Sequence, residues 1–160
     1  MEQMEEYIQA FIKGTEEVFR DFCKTETKAG RAFFVSKNEF ETNWDISGII
    51  GLSGEVKGAI AISLKEITAF EITKIFTGKT HEIIDTDVTD VIGETINIIT
   101  GNVKNVFEKK HRIKISMPSI IKGKAHSIVW STEKARIICI PFSIYKDQEF
   151  CLSVAIEQSK

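Results

Sequence analysis

No apolar run in this 160-residue chain reaches the roughly 18 residues of a membrane-spanning helix, so no segment reads as a transmembrane span. The opening MEQMEEYIQA is acidic and amphipathic and lacks the basic-then-apolar order of a secretory signal. Positive charge is not in excess: 21 Lys and Arg stand against 23 Asp and Glu, a formal net charge of -2. A nucleic-acid binder would ordinarily show a basic patch or stripe, so that class is disfavoured. Cysteine is sparse and odd in number. Cys23, Cys139 and Cys151 have no metal-ligand spacing, and reduced, packed thiols in the cytoplasm are the expected state.

What the chain does contain suits a globular domain. Hydrophobic residues make up 42% and charged residues 28%, enough apolar surface for a core, and the length fits a single domain spanning 1–160. Met4, Tyr7, Ile8, Phe11, Ile12, Val18, Phe19 and Phe22 recur at helical period over residues 2–24, with a slip near Gly14. A short strand is expected at 32–35, and a hairpin from 46–52 and 56–62 around Ser53-Gly54-Glu55. Residues 67–76 read as a short helix ended by Gly78. A long helix begins at Asp85 or Asp87 and runs to about Lys110. Strands are expected at 113–116, 127–131, 135–145 and 150–156, with Lys146-Asp147-Gln148-Glu149 as the last turn. The assembly this order implies is α+β, a two-layer sandwich of long helices on a largely antiparallel sheet.

Several motif fragments do not hold together. Gly78-Lys79-Thr80 resembles the tail of a phosphate-binding loop, but Thr73 stands where that motif needs glycine. Gly51-Leu52-Ser53-Gly54-Glu55 lacks the last glycine of a nucleophile elbow. His81-Glu82 has no second histidine at metal-binding spacing, and His111 and His126 are isolated. Lys109-Lys110-His111-Arg112 reads as a solvated helix end whose cations complement the carbonyl pole of the dipole.

The long helix carries more. Val91, Ile92, Thr95, Ile96, Ile99, Val103, Val106 and Phe107 form one broad apolar face. On the opposite side Asp90, Glu94 and Asn97 fall within about 60° of one another, and Gly101 continues the line. Gly93 and Gly101 each cost about 1 kcal/mol relative to alanine inside a helix, and Asn97 and Asn102 are weak helix formers. Such residues are tolerable where another molecule must approach the helix closely. Helical spacing alone also allows a plainer account, in which Asp90 pairs with an Asp87 cap and Glu94 and Asn97 are merely solvated.

The spacing Asp90-x-x-x-Glu94-x-x-Asn97 resembles the signature of the CheC/CheX/FliY family of chemotaxis phosphatases, which is Asp or Ser, three residues, Glu, two residues, Asn. Gly93, Ile98-Ile99-Thr100-Gly101-Asn102, Ile115-Ser116-Met117-Pro118-Ser119 and Gly123 agree with the surrounding pattern. The family places a proline a little over twenty residues past its Asn; here Pro118 lies 21 positions after Asn97. CheC-type members carry two such motifs and CheX-type members one. At the repeat position of this chain, Glu71 is followed by Ile72-Thr73-Lys74 where Asn would be required, so the chain looks like CheX.

The resemblance implies hydrolysis of the aspartyl phosphate on a CheY-type receiver and a homodimer joined through sheet edges. It makes Asn97 the candidate for orienting the attacking water and Glu94 the partner of the receiver's lysine. Asp90, Gly93 and Gly101 become candidate partner-binding residues, Asp90 for docking and the glycines for close approach. No metal or cofactor of the chain's own is expected; Mg²⁺ is supplied in the receiver's active site. A non-catalytic receiver-binding adaptor of the chemotaxis or flagellar switch apparatus is the alternative. Neither nucleic acid nor membrane is expected as a partner.

Overall fold

The computed structural model describes residues 2–35, 43–130, 135–145 and 148–158. In chain order the elements are α1 (Glu2–Cys23), β1 (Lys28–Ala29), β2 (Phe33–Val35), β3 (Trp44–Gly54), β4 (Val56–Leu64), α2 (Glu66–Thr77), α3 (Thr86–Phe107), β5 (Ile113–Ile115), β6 (Ser119–His126), β7 (Arg136–Ile144) and β8 (Gln148–Gln158). Every strand pairing is antiparallel. The sheet runs β1-β7-β8-β4-β3-β5, with β2 also on β7 and β6 also on β3. The expected α+β architecture, helices on an antiparallel sheet, is the one observed.

Alternation along the strands explains the layering. Ile46, Ile50 and Leu52 of β3, Ile60, Ile62 and Leu64 of β4, Ile138, Ile140 and Phe142 of β7, and Phe150, Leu152 and Val154 of β8 are all buried, two residues apart on the face that meets the helices. Phe142 and Phe150 stack at 5.2 Å, and Phe19 of α1 stacks on Phe150 at 5.3 Å. The hairpin turns on Gly54, whose φ of 110° belongs to the left-handed region that favours glycine. Gly78, at φ 72°, closes α2 and donates its N–H to Lys74 O. The start of α2 is capped from a distance: Glu66 N donates to Asp45 Oδ2 of β3 at 2.8 Å.

Helix α1 is observed over Glu2–Cys23, as expected, and runs through the slip near Gly14. Gly14 is the point where α1 crosses α3, with Val103 Cγ2 3.2 Å from the place its β-carbon would take. Helix α3 stops at Phe107 and not Lys110; a turn follows, in which Lys110 N and His111 N donate to Phe107 O. Lys110 then pairs with Glu6 of α1.

The strand expected at 127–131 is absent over 127–130, Ser131 lying outside the described residues, and β6 occupies 119–126 in its place. SIIKGKAH hides its strand because most of it is exposed at the sheet edge, so no apolar alternation marks it. Lys146 and Asp147 of the expected last turn also lie outside the described residues, and Gln148 and Glu149 already belong to β8. Cys23, Cys139 and Cys151 are buried, and burial pushes the Cys23 thiol up to about 12.

Candidate functional site

Helix α3 is held at its start, middle and end. Asp85 is its N-cap, Oδ1 accepting from Val88 N at 3.1 Å. Asp87 is therefore not the cap and Asp90 not its third residue, so the capping account of Asp90 falls away. In the middle, Val91, Ile92, Thr95, Ile96, Ile99, Val103 and Phe107 are buried as expected, and Val106 is half-buried. Thr95 tolerates burial because its hydroxyl donates to Val91 O at 2.7 Å. Asn102, a poor helix former, reaches α1 and donates to Gly14 O at 3.4 Å. At the far end Phe107 meets Tyr7 at 4.3 Å and Phe11 at 6.0 Å.

A helix fixed this way fixes the stripe on its outer face. Asp90, Glu94 and Asn97 are all exposed. No hydrogen bond or ion pair among the described residues engages their side chains. Glu94 and Asn97 are neighbours across one turn, a separation of about 5–6 Å between β-carbons. Asp90 stands two turns before Asn97, about 10 Å along the axis. Gly101 is half-buried and a β-carbon there would meet nothing within 4 Å. The stripe thus ends on open space.

Gly93 does not share that exposure. It is buried, and a β-carbon there would meet Ile120 Cδ1 at 3.6 Å and Pro118 Cγ at 3.8 Å. What comes close at Gly93 is this chain's own strand β6 and the segment before it, so a partner contact at this residue is not accessible. That same packing brings a feature the spacing of α3 could not reveal. Pro118, between β5 and β6, packs over Gly93, and its neighbour Met117 is 85% exposed.

Two further polar clusters are present among the described residues. His81, Asp85 and Asp87 bring one ligand atom each within 4.8 Å of one another, with His81 Nε2 3.3 Å from Asp87 Oδ2. Acids are favoured at a helix N-terminus by the dipole alone. On the sheet face away from the helices, Ser47 Oγ lies 2.8 Å from Ser63 Oγ and 2.7 Å from His126 Nε2. Trp44, Ser63, Trp130, Cys139 and Ser153 line a small cavity on that side.

Chemically, the stripe offers a neutral amide beside two exposed carboxylates. It can orient a water or a polar hydrogen and bind a cation across an interface.

No curated protein matches the chain. Among solved structures, a CheC-like superfamily protein from Shewanella sp. PV-4 shares the fold at 28% identity and a TM-score of 0.85, covering 95% of this chain and 97% of that one. Chemotaxis protein CheX from Vibrio vulnificus does so at 27% identity and a TM-score of 0.85, with 95% and 99% covered. A chain of the CheX–CheY–BeF3–Mg²⁺ complex from Borrelia burgdorferi shares the fold at 24% identity and a TM-score of 0.75, with 95% and 98% covered. The family model described as chemotaxis phosphatase CheX matches residues 46–143, which include α3 and its whole stripe. The chain belongs to the chemotaxis phosphatase CheX family.

Proposed function

We propose that this protein hydrolyses the aspartyl phosphate of a phosphorylated CheY-type receiver, with α3 presented to the receiver's active site. One observation carries this reading. Glu94 and Asn97 stand exposed and unengaged among the described residues, on a helix anchored through its opposite face. In Borrelia burgdorferi, the relative of known structure is a CheX in complex with CheY, BeF3 and Mg²⁺, which supports a receiver as the partner here.

An aspartyl phosphate already has its leaving group, the receiver's own carboxylate, and the receiver's Mg²⁺ offsets charge on the phosphoryl oxygens. What the reaction still needs is a water in line with the scissile bond, because loose phosphoryl transfer depends on positioning more than on new covalent chemistry. The water oxygen bonds to phosphorus as the bond from phosphorus to the aspartate oxygen breaks. Inorganic phosphate, a free carboxylate and a proton released to solvent result. Asn97 suits the water-orienting role because its amide oxygen accepts a hydrogen bond from water and its amide nitrogen donates one nearby. A carboxylate there would be repelled by the phosphoryl oxygens.

Glu94 pairs with the lysine beside the receiver's phosphoacceptor. Breaking one partner of such a desolvated pair costs about 2–5 kcal/mol. Asp90, at the outer end of the stripe, serves docking, and Gly101 permits close approach. The mechanism uses no metal or cofactor of this chain, which acts as a single domain in the cytoplasm. A homodimer joined through sheet edges is part of the same proposal, since the outer strands leave edges to pair.

The test is direct. A receiver carrying radioactive phosphate is mixed with a sub-stoichiometric amount of this protein, and the label is followed. Loss with many turnovers is the expected result. Retained or protected label overturns the phosphatase reading and selects the non-catalytic receiver-binding adaptor.

A further inference from the structure

The phosphatase reading leaves unexplained the most exposed of the large apolar side chains among the described residues. Met117 is 85% exposed, yet the backbone on both sides of it is held. Before it, Ser116 N donates to Gly51 O at 2.9 Å, and Gly51 N donates to Ser116 Oγ at 2.8 Å. The same Ser116 hydroxyl donates to Met117 O at 2.9 Å. After it, Pro118 rests over Gly93 of α3, one residue before Glu94. A residue that precedes proline is further confined to extended backbone by the proline ring. Met117 is thus a large apolar group on backbone held on both sides, one residue before the Pro118–Gly93 contact.

We infer that Met117 is an apolar docking anchor for the same phosphorylated receiver, seated beside the receiver's active site when Asn97 and Glu94 enter it. The inference rests on the phosphatase reading for the identity of the partner. Three features of the surface argue for that occupant. First, Pro118, the residue after Met117, packs over Gly93, the residue before Glu94, so the two exposed side chains stand on segments that touch. Second, the surface matches a receiver in charge. Ile120 faces α3, and strand alternation puts Lys122 on the same side. Lys122 is exposed and without an ion-pair partner among the described residues. A cation therefore stands on the α3 side of β6, and an acidic phosphorylated pocket with a lysine at its rim complements it and the acids of the stripe. Third, the side chain itself is suited to docking, since methionine adapts to irregular apolar surfaces. A backbone ordered before binding also loses less freedom when the partner arrives.

The experiment uses Met117→Ser and Met117→Leu in the full chain, which their exposure makes harmless to folding. Binding to a receiver loaded with beryllofluoride and Mg²⁺ is measured alongside steady-state hydrolysis of the phosphorylated receiver. Met117→Ser raises Kd and KM about tenfold, equivalent to about 1.4 kcal/mol, and leaves kcat and the oligomeric state as in wild type. Met117→Leu restores wild-type values. Unchanged Kd in Met117→Ser overturns the anchor even where the wild-type protein turns over. Where wild type binds the loaded receiver but does not hydrolyse its phosphate, the phosphatase reading fails and the Kd comparison still decides on Met117. A shift in oligomeric state without a change in Kd assigns the side chain to a second copy, and absence of binding by wild type overturns both proposals.

Discussion

Ile96 of α3 sits directly over Gly48 of β3: its Cγ2 is 3.2 Å from where a β-carbon on that glycine would stand. The helix that carries Asn97 is therefore seated on the sheet through a missing side chain. Ile120 and Ile62 crowd the same point at 3.4 and 3.5 Å, and Ile96 and Ile62 are fully buried, so neither of those two can move aside cheaply. Gly48→Ala is expected to lose about 1–3 kcal/mol, the range for overpacking a filled core. Because α3 must shift, turnover falls with it. Chemical denaturation and label loss on the same preparation check both parts.

The two glycines of α3 are expected to part company. At Gly93 a β-carbon finds ordinary contact distances, and at Gly101 it finds open space. Alanine at either site should therefore stabilise the fold by about 0.5–1 kcal/mol through helix propensity. Gly93→Ala keeps wild-type affinity for a receiver, since that residue is buried under β6. Gly101→Ala weakens binding, since its added methyl stands on the docking face. Melting temperature and receiver titration separate the two; equal affinities would remove Gly101 from the interface.

Glu94→Ala should weaken docking as well as turnover, by at least about tenfold, if its carboxylate meets a lysine in a drying interface. Its own stability should stay within about 0.5 kcal/mol of wild type, as exposed positions usually do. Unchanged affinity would exclude the lysine contact, and a large loss of stability would return Glu94 to a purely structural role.

These expectations show which parts of the protein could be read from residues alone. The face of α3 was legible because isoleucine and valine recur at helical period with no competing pattern, and seven of the eight expected positions are buried as their spacing requires. The hairpin was legible because β-branched runs flank a glycine turn. Strand β6 was not: its side chains are mostly exposed, and an edge strand stabilised by backbone pairing leaves little mark on hydrophobic order. Gly93 was misassigned for a related reason. Angular position puts it beside the exposed stripe, but only the three-dimensional path of β6 decides that Pro118 and Ile120 cover it. Asp45 capping α2 across 21 residues of sequence is likewise a tertiary fact.

The thiol of Cys23 gives a pH dependence with a definite sign. Burial raises it to about 12 from an ordinary value of 9.0. Well below pH 9.0 it is protonated in both folded and unfolded chains. As pH rises from there toward about 12, the unfolded chain releases a proton that the folded chain retains. Stability then declines with pH. The stability difference between wild type and Cys23→Ala should shrink between about pH 8 and about pH 11, and alkylation of the native thiol near pH 8 should be far slower than in denaturant. A difference flat with pH would contradict this.

The most direct test of the account is Asn97→Ala, with hydrolysis of a radiolabelled receiver phosphate and binding to the beryllofluoride-loaded receiver measured together. The account predicts binding close to wild type, stability within about 0.5 kcal/mol, and hydrolysis slower by on the order of 100-fold, the scale of a lost positioning contact. Hydrolysis at the wild-type rate in that variant would contradict it.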